Sequence, residues 1–435
     1  MHDVLDPRDQ VPDEAEQLLH SGYAVDGLLR AAREASRLSD LSGLAEIANS
    51  LTRAQRSPDW PYEESSESSQ LTEVLTGLPV LAVDHDAIAD RIHGAWLGRC
   101  VGNTLGKPVE GLTREEVGIY LRAVGQWPQT GYIPMLDELP AGVSHLHESA
   151  PFASAGRFKD VPRDDDLDWT ILGLAMIEEH GEAISTEDIA RAWLDCLPFT
   201  QTFTAERVAY RNLIRGIPVD EAARIENPYR EWIGALIRAD IFGYIHPGDP
   251  AAAARLALVD ARLSHLSNGI YGEMWAAALV ASGLAVNDAR EALGIALRAV
   301  PRSSRLWLSQ QSLLALYDDG TSADDALQWI DRELGHYNWV HTVNNAALIS
   351  LGLLWGSDFT SAVTIAIAGG RDTDSTAATV GSVYGALHGL ASIPEHLVGT
   401  THIHVRSAVR DFDRIRIAEL AERTMHLAGR IVAGP

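Results

Sequence analysis

The sequence is short of cysteine, of positive charge and of strand-forming runs. Cys100 and Cys196 are the only cysteines in 435 residues, and each sits among apolar neighbours. A disulfide framework is therefore not expected, and buried thiols in a reducing compartment fit better. No uninterrupted apolar run reaches the roughly 18 residues that a membrane-spanning helix needs. The opening MHDVLDPRDQ is acidic and lacks an apolar core, so no signal peptide is expected there and the cytoplasm is the expected location. A formal charge of −25 leaves no excess of Lys and Arg with which to grip a phosphate backbone or an anionic bilayer, so neither nucleic acid nor a membrane is an expected partner. A phosphate-bearing ligand would have to be met locally, by a metal, an arginine or a helix N-terminus.

What the chain does have is hydrophobic residues, 46% of the total, and these recur with helical spacing. Residues 1–85 read as an N-terminal helical extension, with helical patches at Glu14–Leu19, Val25–Leu38 and Leu41–Leu51. The Pro- and Ser-rich, charged stretch Arg56–Gln70 that follows has the composition of a linker, although Trp60 and Tyr62 suggest that it packs on the body. From residue 86 onward helical patterns dominate. Ser185 with Asp188, and Ser322 with Asp325, place a hydroxyl three residues before an acid ahead of apolar runs, as capping boxes do. Val-, Ile- and Thr-rich runs are few and short. The expected fold class is all-α, with a compact multi-helix domain over residues 86–432. Two of its helices carry glycine at every fourth position: Gly94, Gly98, Gly102 and Gly106 in one, Gly381, Gly385 and Gly389 in the other. Glycine costs about 1 kcal/mol per helix-interior site relative to alanine. Such repetition points to close approach of backbones.

Chemistry concentrates in two acidic clusters. Gly369-Gly370-Arg371-Asp372-Thr373-Asp374-Ser375-Thr376 breaks one helix with two glycines and starts another, putting two carboxylates and a hydroxyl into one small volume. Hard cations such as Mg²⁺ and Mn²⁺ prefer such oxygens. The simpler reading is that an aspartate here only caps the following helix. Far upstream, Arg163-Asp164-Asp165-Asp166-Leu167-Asp168 leads into a second apolar helix. Consecutive carboxylates are costly to fix without a counter-charge, and a cation shared with Asp372 and Asp374 would supply one.

Three blocks in order resemble the ADP-ribosylglycohydrolase family. They are Gly94–Glu110 (GAWLGRCVGNTLGKPVE), the Asp164–Thr170 cluster, and Gly369–Gly389; the resemblance runs over roughly residues 90–430. It implies an all-helical fold holding two divalent cations, Mg²⁺ or Mn²⁺, and hydrolysis of an N- or O-glycosidic bond at the anomeric carbon of a ribose. The substrate it implies is a ribosyl or ADP-ribosyl conjugate, either a small molecule or a modified protein. Asp164, Asp165 and Asp166 match the family's Thr-Asp-Asp metal motif, with an aspartate in place of threonine. Asp372, Asp374 and Ser375 match its Asp-x-Asp-Thr motif. Glu110 falls on the glutamate that orients groups at the metals, and Asn103 replaces the usual aspartate after Gly102. His265, with Ser264 before it, resembles the family's ligand-contacting Thr-His block.

One block departs from the pattern. Trp232-Ile233-Gly234-Ala235-Leu236-Ile237-Arg238 stands where many relatives carry Asn-Gly-Gly-Ala-Met-Arg, a loop that approaches the ligand's phosphates. Gly234 and Arg238 remain, but Trp232 brings bulk. Gly370 and Arg371 are expected to contact the ligand too; Arg371, inserted between the glycine pair and Asp372, is a second departure, and its guanidinium is expected either to meet a phosphate or to pair within the protein. Trp169, beside the acidic cluster, is expected to line the pocket. The resemblance thus implies a base among Glu110, Asp165 and Asp166, acting on water opposite an oxocarbenium-like sugar. Two other readings stay open: an N-glycosidase of a small ribosylated molecule or nucleoside, and a catalytically inactive, crystallin-like binding protein.

Overall fold

The structure is a computed structural model that describes residues 4–433; the first three residues of the expected extension lie outside it. Among the described residues there are twenty-one α-helices and one two-stranded antiparallel sheet, His404–Val405 with Ile415–Arg416. The fold is all-α. None of its helices is long and apolar enough to cross a membrane.

The core is built around two antiparallel helices, Ile88–Gly106 and Thr373–His388. Their glycine stripes face each other so closely that a Cβ on Gly98 would overlap the Gly381 carbonyl, and one on Gly102 the Ala377 carbonyl. At one end of the pair a Cβ on Gly94 would come within 2.6 Å of the Gly389 carbonyl carbon. At the other, one on Gly106 would come within 2.8 Å of Asp374 Cα. The glycines are there because no other residue leaves room for this approach. Asn268–Gly283, Thr342–Trp355, Phe359–Ile367 and Ile417–Ala433 pack around the pair, and almost every residue of the first two is buried.

The pairing continues past the helix ends. Thr373 Oγ1 donates to the Gly106 carbonyl at 2.8 Å. Gly111 N–H donates to Arg371 O at 2.9 Å, and Arg371 N–H to Leu112 O at 2.8 Å. Gly370 and Arg371 both sit at positive φ, 67° and 68°. For an arginine this is uncommon, and the two backbone bonds across to residues 111 and 112 hold it there. Glycine is required at 370, where a Cβ would press on Leu112 O and the backbone of Thr113 and Arg114.

The N-terminal helices Pro7–His20, Asp26–Arg37 and Leu41–Leu51 form a small apolar cluster of their own, through Val11, Leu18, Leu29, Leu44 and Leu51. They are tied to the body by polar contacts, one of them fully buried. Gln17 bonds Glu231 at 2.7 Å, and Glu14 meets Arg230 at 2.6 Å. The Pro- and Ser-rich stretch after them is anchored, with Glu64 paired to Arg305 at 2.7 Å and buried, and Trp60 packed on Tyr62. Ser185 and Asp188 form the reciprocal capping box read from the sequence, and the Ser322 hydroxyl accepts from Asp325 N–H.

The helix pair sets the first test. Gly102→Ala drives a methyl into a backbone carbonyl that cannot move without its helix, so we expect a loss of about 2–3 kcal/mol or more in stability. Alanine at the open, exposed Gly27, where no atom lies within 4 Å, should be neutral or slightly stabilising. Denaturant titration of both variants measures the difference.

Candidate metal centre

Three segments meet at the Gly106–Thr373 end of the helix pair. The chain leaves the first helix through the one-turn segment Lys107–Val109, which presents Glu110. The second segment is the start of the Asp165–His180 helix, and the third the start of Thr373–His388. Asp164 caps its own helix, accepting from Asp166 N–H at 3.0 Å. Asp372 occupies the cap position of Thr373–His388, yet its side chain makes no capping bond. The cap reading therefore holds for Asp164 and not for Asp372, whose carboxylate is turned to other groups.

The carboxylates gather in two sets. Ligand oxygens of Asp164, Asp166 and Asp374 all lie within 4.8 Å of one another, and so do those of Glu110, Asp372 and Asp374. Acids about two hundred positions apart thus converge, and Asp374 is common to both sets. Asp166 is fixed on one oxygen: Asn103 donates to Oδ2 at 3.1 Å and Ser375 Oγ to the same atom at 3.3 Å. Its other oxygen, Oδ1, has no hydrogen-bond partner, and neither does Asp374 Oδ1 or Asn103 Oδ1, all of them buried. Buried acceptors left unpaired are rare because each costs desolvation with no return. Oxygen-rich, mutually repelling and unsatisfied, this donor set suits a hard divalent cation.

The electrostatics agree. Burial, and then the charge of Asp374, push the carboxyls of Asp166 and Asp372 well above the usual aspartate range. Burial raises Asp165 as well. Glu110 is pushed up to about 6 by burial and by Asp374, although His147 Nδ1, 3.0 Å from its Oε2, works the other way. Repulsion of this kind is relieved by a cation or by protons.

The remaining expected site residues fall elsewhere. Asp165 belongs to neither carboxylate set and is half-buried. Asp168 is an anchor, bound by Arg163 at 2.7 Å, Ser407 Oγ at 2.7 Å and Ala408 N–H at 3.0 Å. Trp169 is buried on the core side of its helix, against Trp193 and the Arg238 guanidinium, rather than on an open pocket wall. Arg238 itself is buried with its donors on Asp260, Glu206, Gly234 O, Ser264 and Glu273. Gly234 lies under the Glu206 carboxylate. His265 is buried beside Ser264, its pKa lowered by burial and by Arg238, so its ring is neutral. Trp232 is half-buried, its ring tilted against that of Tyr229, and its carbonyl accepts from Thr342 Oγ1. Arg371 pairs with Asp331 at 2.8 Å, within the protein and away from the acids of the site.

Two groups at the site carried no role in the sequence reading. Lys107 lies inside the carboxylate cluster, ion-paired to Asp164 and 3.5 Å from Asp374. It is one of only two lysines in the chain, and that scarcity in a block of small and apolar residues was the available signal. His147, on the Glu110 carboxylate, comes from a loop whose sequence gives none. A concavity of about 500 Å³ between the N-terminal helices and the body is lined by His20, Trp60, Tyr62, Arg305 and Trp329. It shares no residue with the acidic centre.

The all-helical body thus carries an acid-lined centre, built from three distant segments, whose carboxylates could hold a metal ion. The model of the ADP-ribosylglycohydrolase family matches residues 84–431; the chain belongs to that family, and so to the glycohydrolases of ADP-ribosyl conjugates in general. A solved structure described as an ADP-ribosylglycohydrolase-related protein complex is similar at 20% identity and a TM-score of 0.46, over 79% of this chain and 99% of that one. A comparison with curated proteins finds no match.

Because Glu110 holds its proton below about pH 6, a cation must displace that proton in acid solution. Apparent Mn²⁺ affinity should level off above that pH and fall about tenfold one unit below it. Calorimetric titration at pH about 5 and about 7.5, in two buffers of different ionisation enthalpy, measures both the affinity and the proton released.

Proposed function

We propose that the chain is a divalent-cation-dependent glycohydrolase that cleaves the N- or O-glycosidic bond at the anomeric carbon of ribose in a ribosyl or ADP-ribosyl conjugate. The observation that carries this reading is the meeting of Asp164 and Asp166 with Asp374, in a chain of this family. Glu110, Asp164, Asp166, Asp372, Asp374 and Ser375 are the residues that would hold Mg²⁺ or Mn²⁺, two ions being the full complement that two carboxylate sets sharing Asp374 allow. When bound, such an ion supplies Lewis acidity to a water and to the sugar hydroxyls.

The chain's own groups do the rest. Cleavage at a ribosyl carbon passes through an oxocarbenium-like state, so water must be presented to one face of the sugar and lose a proton there. Of the three candidate bases, Glu110 is best suited. Burial and Asp374 raise its carboxyl to about 6 in the absence of a cation, so it is ionised at neutral pH. His147 at 3.0 Å steadies the carboxylate and offers the proton a way out. Asp166 is engaged by Asn103 and Ser375 and is suited to holding position. Asp165, outside both sets, is suited to bonding the substrate from the rim.

The substrate's size follows from the arginines. Arg238, which the family pattern puts near phosphates, and Arg371, an insertion that could have met one, are both spent on protein carboxylates, and Trp232 adds bulk at the loop that carries Arg238. A compact ribosyl conjugate should therefore turn over with a higher kcat/KM than its ADP-ribosyl counterpart. A clear preference for the ADP-ribosyl form would contradict this reading of the loop.

Asp374→Ala removes the carboxylate common to both sets. It should lower metal affinity by at least about 100-fold and reduce ribose release to background, with the fold retained by circular dichroism. A metal-free variant of full activity would end the proposal. The rival reading, a catalytically silent binding protein, draws its support from the lysine in the cluster; the same assay on the unmodified chain separates the two, since a silent protein releases no ribose.

A further inference from the structure

Lys107 is placed where a cation belongs. It follows Gly106 directly at the end of the glycine-striped helix, in the one-turn segment Lys107–Val109 that leads to Glu110. Only 6% of it is exposed. Its Nζ meets Asp164 Oδ2 in a direct ion pair and stands 3.5 Å from Asp374 Oδ2. Two of the three carboxylates in the Asp164–Asp166–Asp374 set thereby share one positive charge that is covalently part of the chain. Burial opposes that charge, but Asp374, Glu110, Asp165 and Asp166 outweigh it and keep the amine protonated.

The other set is different. Among the described residues, Glu110, Asp372 and Asp374 have no lysine or arginine in ion-pair contact except Lys107 at Asp374 Oδ2; their remaining basic partner is His147 at Glu110. Asp374 Oδ1, the oxygen that Lys107 does not take, is buried and without a hydrogen-bond partner. A divalent ion entering the Asp164 side would have to displace an ammonium and then sit beside it. One entering the Glu110 side meets three carboxylates, of which only Asp374 touches the ammonium.

We propose that the Lys107 ammonium takes the place of one of two divalent cations, so that this chain binds a single ion, held by Glu110, Asp372 and Asp374. The inference rests on the reading that these acids hold metal at all, and it makes Lys107 a positioning residue that fixes Asp164 and Asp374 through its charge.

The test is metal stoichiometry in the full chain, stripped with chelator and reloaded with Mn²⁺, read by elemental analysis and by electron paramagnetic resonance. The wild type should hold one Mn²⁺ per chain with the six-line spectrum of an isolated ion. Lys107→Met should hold two and show the broadened spectrum of a coupled pair, while Lys107→Arg, which keeps the charge, should stay at one. Two coupled ions in the wild type would overturn the proposal while leaving the metal reading intact, and that result needs no variant to fold. A single ion in Lys107→Met would also overturn it, because the lysine would then not be what keeps the second ion out. No bound Mn²⁺ in the wild type would remove both this inference and the metal reading beneath it.

Discussion

The contact on which the rest depends is one backbone laid against another. Helices normally pack with 8–10 Å between axes because side chains keep them apart. Here the Gly94–Gly106 and Gly381–Gly389 stripes remove those side chains, and the carbonyl of one helix occupies the space where the other's Cβ would be. Because the two run antiparallel, the end of one meets the beginning of the other. Lys107 and Glu110 are thereby set against Asp372, Asp374 and Ser375, and the bonds from residues 371 and 373 to 106, 111 and 112 keep them there. The acids are positioned by main chain rather than by loop side chains, which is what a preorganised site requires. The N-terminal end of Thr373–His388 adds its partial positive charge beneath two of them.

The second constraint is charge. A chain with a formal charge of −25 concentrates acids in its interior and has to balance them there. It does so in different ways at different places. Arg238 is surrounded by Glu206, Asp260 and Glu273, with Glu206 raised to about 7 by burial. Arg305 joins Glu64 to Glu231 and so fastens the N-terminal stretch to the body. Arg99, fully buried, is bound to Asp240 at 2.8 Å and to the carbonyls of Asp166 and Ile237, which braces the acidic helix from behind. At the candidate metal centre the acids outnumber their partners, and two carboxylate oxygens have no hydrogen-bond partner. The imbalance is local, and it marks the site.

How much of this could be read from the sequence depends on whether a pattern is local. The glycine stripes declared a close helix pair, because nothing else explains glycine at every fourth helical position. The Asp164–Asp166 and Asp372–Ser375 runs declared themselves by density of like charge. The N-terminal helices followed from their spacing. What the sequence could not give is which face a buried group takes. Trp169 and Arg238 are within reach of the acidic helix in the chain or the fold, yet both turn into the core, because Trp193, Glu206 and Asp260 lie on that side. Arg371 pairs with Asp331 from a helix forty residues earlier, a contact that no local pattern encodes. His147 reaches Glu110 from a loop without regular structure for the same reason. Lys107 was visible in the motif itself, but its meaning depends on Asp164 being opposite it, which only the fold supplies.

A crystal of the protein grown with Mn²⁺ and a ribosyl ligand, with anomalous scattering measured at the manganese edge, tests the central claim most directly. The account predicts an anomalous peak bonded to Asp374, with acids from the distant segments around it and the ribose hydroxyls turned toward it. Ordered ligand with no peak at Asp374, or manganese bound only at surface carboxylates, would contradict it.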